Sequence, residues 1–150
     1  MIADPQGATI SIFKPVQGMA PHDTEKHGEL CWHELITTDQ EAAFSFYHAI
    51  FGWERLLDHD MGPMGNYLIY GRKGLQLGGM FNKPKDMPMP PAFLYYVMVD
   101  DLDGALARAK KMGAKVMNGP MEVPGGARIV QLMDPQGAAF ALHEKAKKAG

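Results

Sequence analysis

The sequence predicts an α+β fold built from two βαβββ modules, preceded by one extra N-terminal strand. The order of one strand, one helix and three strands occurs twice along the 150 residues. Aligning residues 39–43 on residues 101–105 gives an offset of 62 between the two copies. Each copy, at roughly 55 residues, is too small to bury a sheet face well by itself. The two modules are therefore expected to cover each other and to form one curved sheet with a concave face.

The first module begins with an apolar run at residues 29–38, which indicates a strand. Apolar residues at helical spacing follow over residues 42–50. Thr38 and Glu41 fit a capping box at the start of this helix, and Gly52 suits the left-handed position at its end. Three further strands are expected at about Glu54–His59, Tyr67–Tyr70 and Leu75–Phe81.

The second module repeats this order after a segment rich in proline at residues 82–91. Phe93–Val99 is a strongly apolar run typical of a strand, and Asp100 or Asp101 can cap the helix that follows. Gly113 ends that helix. The remaining strands are expected at Lys115–Met117 or slightly longer, Ala127–Met133 and Ala138–His143.

The N-terminal residues carry a third, partial repeat. Asp4–Ala8 is identical in sequence to Asp134–Ala138, at an offset of 130, and polar and apolar residues alternate over residues 9–12. This pattern predicts the closing turn and last strand of a preceding like domain, with residues 8–13 added to a sheet edge. That edge belongs either to the same domain or, by exchange, to a second copy in a homodimer.

These repeats define the expected domain organisation. Residues 1–14 form the extra strand, residues 15–28 a linker arm, residues 29–145 one domain with modules 29–82 and 91–145, and residues 146–150 a tail.

Composition and charge exclude several classes of function. Fifteen Lys plus Arg against seventeen Asp plus Glu give a formal net charge of −2, so no basic surplus exists to neutralise a nucleic-acid backbone. The single cysteine, Cys31, excludes an intramolecular disulfide and a cysteine-based zinc cage. No apolar run reaches about 18 residues, and the N-terminus lacks a signal-peptide pattern. We expect a cytoplasmic protein with a small-molecule ligand and with no nucleic-acid or membrane partner.

Five stretches resemble the vicinal oxygen chelate superfamily, which contains glyoxalase I, bleomycin-resistance proteins and extradiol dioxygenases. They are Trp32–Asp39, Phe46–Trp53, Val99–Asp103, Met112–Val116 and Met133–Ala138. The resemblance covers residues 29–144 and implies two βαβββ modules that pair into one cup-shaped, incompletely closed barrel. It says more about fold than about chemistry, because this superfamily carries many activities.

Metal-dependent members of the superfamily place one ligand on the first and last strand of each module. Carried over to this sequence, the four positions fall on Trp32, Gln76, Leu94 and Ala141. Trp, Leu and Ala cannot ligate a cation, so no metal cofactor is expected. An alternative set of Glu34, Gln76 and His143 could hold a divalent metal from three strands.

Glu34 is the leading candidate for chemistry. A carboxylate in an apolar strand is costly if it is buried without a partner. Glu34 is therefore either a cavity base or ligand anchor, with its pKa raised by burial, or a structural carboxylate. Strand alternation turns Glu34 to the same face as Trp32. Tyr96 matches Glu34 at the offset of 62 and is expected to face inward, whereas Gly78 and Gly79 predict a bulge or a close approach.

The predicted function is to bind, and in one version to sequester, a small apolar or aromatic molecule. The expected lining is Trp32, Glu34, Gln76, Leu94, Tyr96, Met98, Gln131 and Phe140. Two alternatives remain open. One is a metal-dependent lyase, isomerase or dioxygenase of the glyoxalase I type that uses Glu34, and the other is metal-free acid–base catalysis by Glu34.

Overall fold

One helix and a set of β-strands recur in each of two units of the computed structural model, which describes residues 1–18 and 20–147. The first unit consists of Met1–Ala20 and His33–Phe93, and the second of Pro21–Trp32 with the chain from Leu94 onward. The α+β class is therefore confirmed. The predicted tail at residues 146–150 extends into residues 148–150, which lie outside the described residues.

In the first unit, three antiparallel strands and one parallel strand lie beside a single helix. The elements are β1 (Ile2–Ala3), β2 (Thr9–Ile10), β3 (Leu30–Thr37), α1 (Gln40–Phe51), β4 (Glu54–Asp60), β5 (Asn66–Arg72) and β6 (Leu75–Asn82), with a 3₁₀ turn at Gly62–Met64. The strand order is β4-β5-β6-β3, in which only β6 and β3 are parallel. The residues of β3 before His33 belong to the second unit.

The second unit repeats this arrangement. Its elements are β7 (Ala92–Met98), α2 (Leu102–Lys111), β8 (Lys115–Glu122), β9 (Arg128–Met133) and β10 (Ala139–Glu144). The strand order is β7-β10-β9-β8, in which only β10 and β7 are parallel. Asp101, one of the two predicted caps, accepts a hydrogen bond from the backbone N–H of Gly104 at 3.0 Å.

Helix α1 is capped by Asp39 and not by the predicted Thr38. The Asp39 side chain accepts a hydrogen bond from the backbone N–H of Ala42 at 3.0 Å. The capping box predicted for Thr38 and Glu41 does not form, because Asp39 takes the cap position. The Glu41 carboxylate pairs with an arginine of β4 at 2.8 Å. The helix ends at Gly52, with φ 65°, as predicted. Within the described part of the chain, neither helix is long and apolar enough to cross a membrane.

Each unit has its own core beneath its helix. In the first unit the core residues include Leu35, Ala43, Tyr47, Trp53, Leu68, Tyr70 and Met80. The Trp53 ring stacks on Tyr70, with ring centroids 4.2 Å apart, and on Tyr47 at 5.0 Å. In the second unit the core includes Val99, Leu102, Leu106, Val130, Leu132 and Leu142.

The N-terminal strand does not add to the edge of a larger sheet in its own chain, which was one of the two placements predicted. Instead β2 pairs with β1 in a separate two-stranded sheet, with Ile2 opposite Ile10. The reason is local, because the turn at residues 4–8 reverses the chain and brings its first residues alongside β2. Exchange of this segment with a second copy stays a prediction.

Candidate functional site

Glu34 lies in β3 and is only 7% exposed. Its Oε2 accepts a hydrogen bond from the Tyr67 hydroxyl of β5 at 3.0 Å. A buried carboxylate without a partner would be strongly unfavourable, and a hydroxyl donor lowers that cost. The position opposite Glu34 on β6 is Gly79. The carboxylate, the phenol and the glycine therefore form one group that spans three neighbouring strands of the first unit.

Tyr67 reaches Glu34 because Gly79 has no side chain. A Cβ atom placed at Gly79 would collide with the edge of the Tyr67 ring and with its hydroxyl. The same ring lies against Phe81, with centroids 6.1 Å apart and ring planes 25° apart. The close approach predicted at this glycine is confirmed.

Gly78 allows a close approach on the opposite face of β6. The Tyr70 hydroxyl donates to the backbone carbonyl of His33 at 3.2 Å, beside the place where a Gly78 side chain would lie. The predicted bulge is also confirmed, because Tyr70 pairs with Gly78 whereas the next residue, Gly71, pairs with Gln76. Leu77 is therefore the extra residue of the bulge.

The bulge at Leu77 changes which face Gln76 occupies. Because a bulge interrupts the alternation of side chains, Gln76 lies on the same face as Glu34, as the carry-over from the superfamily implied. Gln76 is exposed, unlike Glu34. The structure thus places two predicted site residues of the first unit on one face.

Apolar side chains and one histidine share this face, which we call the Glu34 face. It comprises Glu34, Ile36, Leu57, His59, Tyr67, Ile69, Gln76 and Phe81. His59 of β4 lies directly opposite Tyr67. Sequence reasoning missed both Tyr67 and His59. The signal that could have found Tyr67 is Gly79, a glycine opposite the lone carboxylate of Glu34, because it leaves room for an aromatic ring to cross β6.

In the second unit, Tyr96 is 2% exposed and packs in a cluster with Leu94 and Ala141, against which Trp32 also packs. The Tyr96 hydroxyl accepts a hydrogen bond from Nε2 of Gln131 at 2.7 Å. Four predicted lining residues are therefore brought together. Three of the four carried-over ligand positions lie in this apolar cluster, so their side chains do not fit a metal ion.

Two other predicted lining residues, Met98 and Phe140, point to opposite faces of their strands. Met98 is 4% exposed and follows Tyr96 by two residues, so it shares the face of Tyr96. Phe140 does not, because it neighbours Ala141 in β10 and strand alternation turns it to the other side. There it packs against the core beneath α2. The assignment of Phe140 to a ligand wall is corrected accordingly.

His143 belongs to the second unit, whereas Glu34 and Gln76, its partners in the alternative metal set, belong to the first. Its Nδ1 atom is buried and has no hydrogen-bond partner among residues 1–18 and 20–147. Burial, followed by the positive charge of Lys145, lowers the pKa of His143 below its ordinary value of 6.5. Within those ranges no group of three His, Cys, Asp or Glu side chains could hold a metal ion.

The free energy of unfolding is expected to fall as the pH drops below about 6.5 because of His143. The folded state lowers this pKa, so the unfolded state binds more protons in that range and stability is lost toward the folded pKa. Urea unfolding between about pH 5 and pH 8 measures this slope. A His143→Gln variant should show a shallower slope than the wild type. Equal slopes in the two proteins would contradict the assignment.

Cys31 is not a nucleophile at neutral pH. Burial raises the pKa of its thiol to about 11. The thiol therefore stays protonated, and its Sγ donates to the backbone carbonyl of Tyr96 at 3.4 Å.

Comparisons with known proteins identify the family of the chain. The model of the Glyoxalase/Bleomycin resistance protein/Dioxygenase superfamily matches residues 29–142. CFP32 of Mycobacterium bovis, provisionally named a glyoxylase, is 31% identical over 145 residues, which cover 94% of this chain and 53% of CFP32. The anthracycline biosynthesis protein DnrV of Streptomyces peucetius is 29% identical over 136 residues, which cover 82% of this chain and 49% of DnrV. The chain spans about half the length of the curated relatives it matches.

Solved structures share the fold at lower identity. A variant of Streptomyces coelicolor methylmalonyl-CoA epimerase, in complex with 2-nitronate-propionyl-CoA, has a TM-score of 0.63 and 17% identity, covering 81% of this chain and 100% of that chain. Methylmalonyl-CoA epimerase from Mycobacterium tuberculosis has a TM-score of 0.61 and 20% identity, covering 81% and 89%. These likenesses show the fold alone, whereas the family model covers most of the chain. The chain therefore belongs to the Glyoxalase/Bleomycin resistance protein/Dioxygenase superfamily.

Proposed function

We propose that this chain binds a small, largely apolar or aromatic molecule on the Glu34 face of its first unit, with Glu34 as the polar anchor. The observation that carries the proposal is the 3.0 Å hydrogen bond from Tyr67 to a carboxylate that is 7% exposed. Binding sites of this kind combine apolar walls with a few fixed polar groups. The Glu34 face has that composition.

The chemistry of the face indicates what kind of molecule would fit. A carboxylate accepts hydrogen bonds, so Glu34 favours a ligand that offers a hydroxyl or N–H group. Tyr67 and Phe81 present aromatic rings, which pack well against another planar ring. A hydroxylated aromatic molecule meets both conditions. The similarity to an anthracycline biosynthesis protein supports the same class of ligand.

Acid–base catalysis without a metal is a second candidate for the same face. It is favoured by the position of His59, which lies opposite Tyr67 and so on the far side of the phenol from Glu34. A ligand lying over the Tyr67 ring would have Glu34 as a proton acceptor on one side and the His59 imidazole on the other. In this version Glu34 removes a proton from bound substrate.

A Glu34→Gln variant is expected to bind 1,4-dihydroxyanthraquinone at least about tenfold more weakly than the wild type, since hydrogen bonds to charged groups are worth roughly 1.5–3 kcal/mol. Glutamine keeps the size of the side chain and removes its charge. Fluorescence titration of the quinone measures the dissociation constant. The matched control is Glu122→Gln on β8, an exposed carboxylate outside the Glu34 face. Equal affinities in wild type and Glu34→Gln would overturn the anchor role.

Two measurements separate binding from the alternatives. Mass spectrometry of the recovered quinone shows whether it is converted, and conversion that is lost in Glu34→Gln with binding retained would favour acid–base catalysis. Elemental analysis of the purified protein addresses the metal-dependent alternative. A stoichiometric divalent metal that is lost in Glu34→Ala would overturn the metal-free proposal.

A further inference from the structure

The chain contains the same turn twice. The first turn is Asp4–Ala8 and the second turn is Asp134–Ala138. In each, the aspartate N–H donates to the alanine carbonyl, at 2.8 Å in the first turn and 2.9 Å in the second. The aspartate Oδ1 accepts from two backbone N–H groups at 3.0 and 2.8 Å in the first turn, and at 2.9 and 2.8 Å in the second. The glycine φ angles are 100° and 95°.

The surroundings of the two turns differ. The first turn packs on the first unit through its two end residues, of which Ala8 is 0% and Asp4 is 5% exposed. Asp4 Oδ2 accepts a hydrogen bond from the hydroxyl of Tyr47 in α1 at 3.1 Å, and Ala8 joins the core cluster that contains Tyr47 and Trp53. We call the place where Tyr47 and this cluster hold the turn the α1 seat. In the second turn, the four residues after Asp134 are exposed.

We propose that the α1 seat is a binding site for this turn, and that it accepts the second turn of another copy of the chain when the first turn is removed. The seat contacts a carboxylate oxygen through Tyr47 and the methyl group of Ala8, and the turn itself needs a glycine in the left-handed region. The second turn supplies all three with the same backbone hydrogen bonds. Residues 135–138 of the second turn are exposed and are therefore accessible to a second copy.

Each copy offers one second turn and one α1 seat, so every copy can both give a turn and receive one. We expect the smallest closed assembly of this kind, a twofold dimer. In the full chain the first turn competes from the same molecule, and tethering gives it a local concentration in the millimolar range. The full chain is therefore expected to keep its own turn seated, and the homodimer expected from the sequence forms through this seat only after the turn leaves.

A variant lacking residues 1–13 is expected to form a dimer at a few hundred micromolar in sedimentation velocity, where the full chain does not associate through the seat. Adding Asp134→Asn to the shortened variant should weaken the dimer at least about tenfold. Asparagine keeps an oxygen for the turn's own backbone bonds and replaces the oxygen that would accept from Tyr47. Asp86→Asn, in an exposed loop, is the matched control. A synthetic peptide of residues 1–13 should return the shortened variant to the monomer.

Association that is unchanged by Asp134→Asn and by the peptide would overturn the proposal, because exposed core residues would then explain it. A shortened variant that stays monomeric would overturn it as well. If the shortened variant does not fold, the full-length Asp4→Asn variant decides, since asparagine loses the oxygen that accepts from Tyr47 and keeps an oxygen for the turn's own backbone bonds. It should associate at a few hundred micromolar and lose that association when Asp134→Asn is added, and any other result rejects the seat as a binding site.

Discussion

Replacing Gly78 with alanine is expected to lower the free energy of unfolding by about 3 kcal/mol or more. The new methyl group would overlap the backbone carbonyl oxygen of His33 in β3 and lie 2.5 Å from the Tyr70 hydroxyl. A backbone atom cannot rotate away, so β3 and β6 must separate and the hydrogen bond from Tyr70 to His33 must break. Urea unfolding followed by circular dichroism measures the change.

Gly18→Ala is the matched control for this prediction. Nothing lies within 4 Å of a Cβ atom at Gly18, and its backbone is not in the left-handed region. Its stability should stay within about 0.5 kcal/mol of the wild type. If Gly78→Ala and Gly18→Ala had equal free energies of unfolding, β3 and β6 would tolerate the methyl group. The close approach at Gly78 would then not exclude larger residues from this position.

Gly79→Ala is expected to weaken ligand binding about as much as Glu34→Gln, which is tenfold or more on the proposed function. The methyl group would displace the Tyr67 ring, which can rotate, so the loss of stability should be smaller, at about 1–3 kcal/mol. Displacing Tyr67 removes the hydroxyl that orients the carboxylate. Fluorescence titration with 1,4-dihydroxyanthraquinone measures the effect on affinity.

Tyr67→Phe separates the hydroxyl from the ring. This variant should lose affinity like Gly79→Ala, and adding Gly79→Ala to it should cost little further affinity, because both changes act on the same hydrogen bond. Additive losses of affinity in the double variant would contradict the idea that Gly79 acts through Tyr67. Full affinity in Tyr67→Phe would remove Tyr67 from the site and leave Glu34 as the single anchor.

The elements of the fold could be predicted because their signals are local. Apolar spacing and turn residues predicted both helices and most strands of the two units, and Gly52 ends α1 as expected. Strand β1 was not predicted, and β8 is longer than expected. The cap of α1 could not be decided in the same way, since Thr38 and Asp39 are both good cap residues. The structure shows which of them caps the helix, since the Asp39 side chain accepts from the Ala42 N–H.

The site could be predicted only in part, because its contacts join residues that are distant in sequence. Glu34 was recognisable as a lone carboxylate in an apolar strand. Its donor, Tyr67, lies 33 residues away and reaches it only through the register of two further strands. The bulge at Leu77 also changes which side chains of β6 share a face on either side of it. The sequence indicates a bulge near Gly78 and Gly79, but it does not show which residue is the extra one. Phe140 was misplaced because the expected wall ignored strand alternation.

The chain carries two tryptophans, one in each unit. Trp53 is stacked between aromatic rings beneath α1, whereas Trp32 packs beside Leu94 and Tyr96 in the second unit. Each unit therefore contains one fluorescent tryptophan. In a variant with one tryptophan changed to phenylalanine, only the other unit contributes tryptophan fluorescence. Coincident transitions from the two reporters would mean that both units unfold in one step, and separate transitions would mean that one unit can open while the other stays folded.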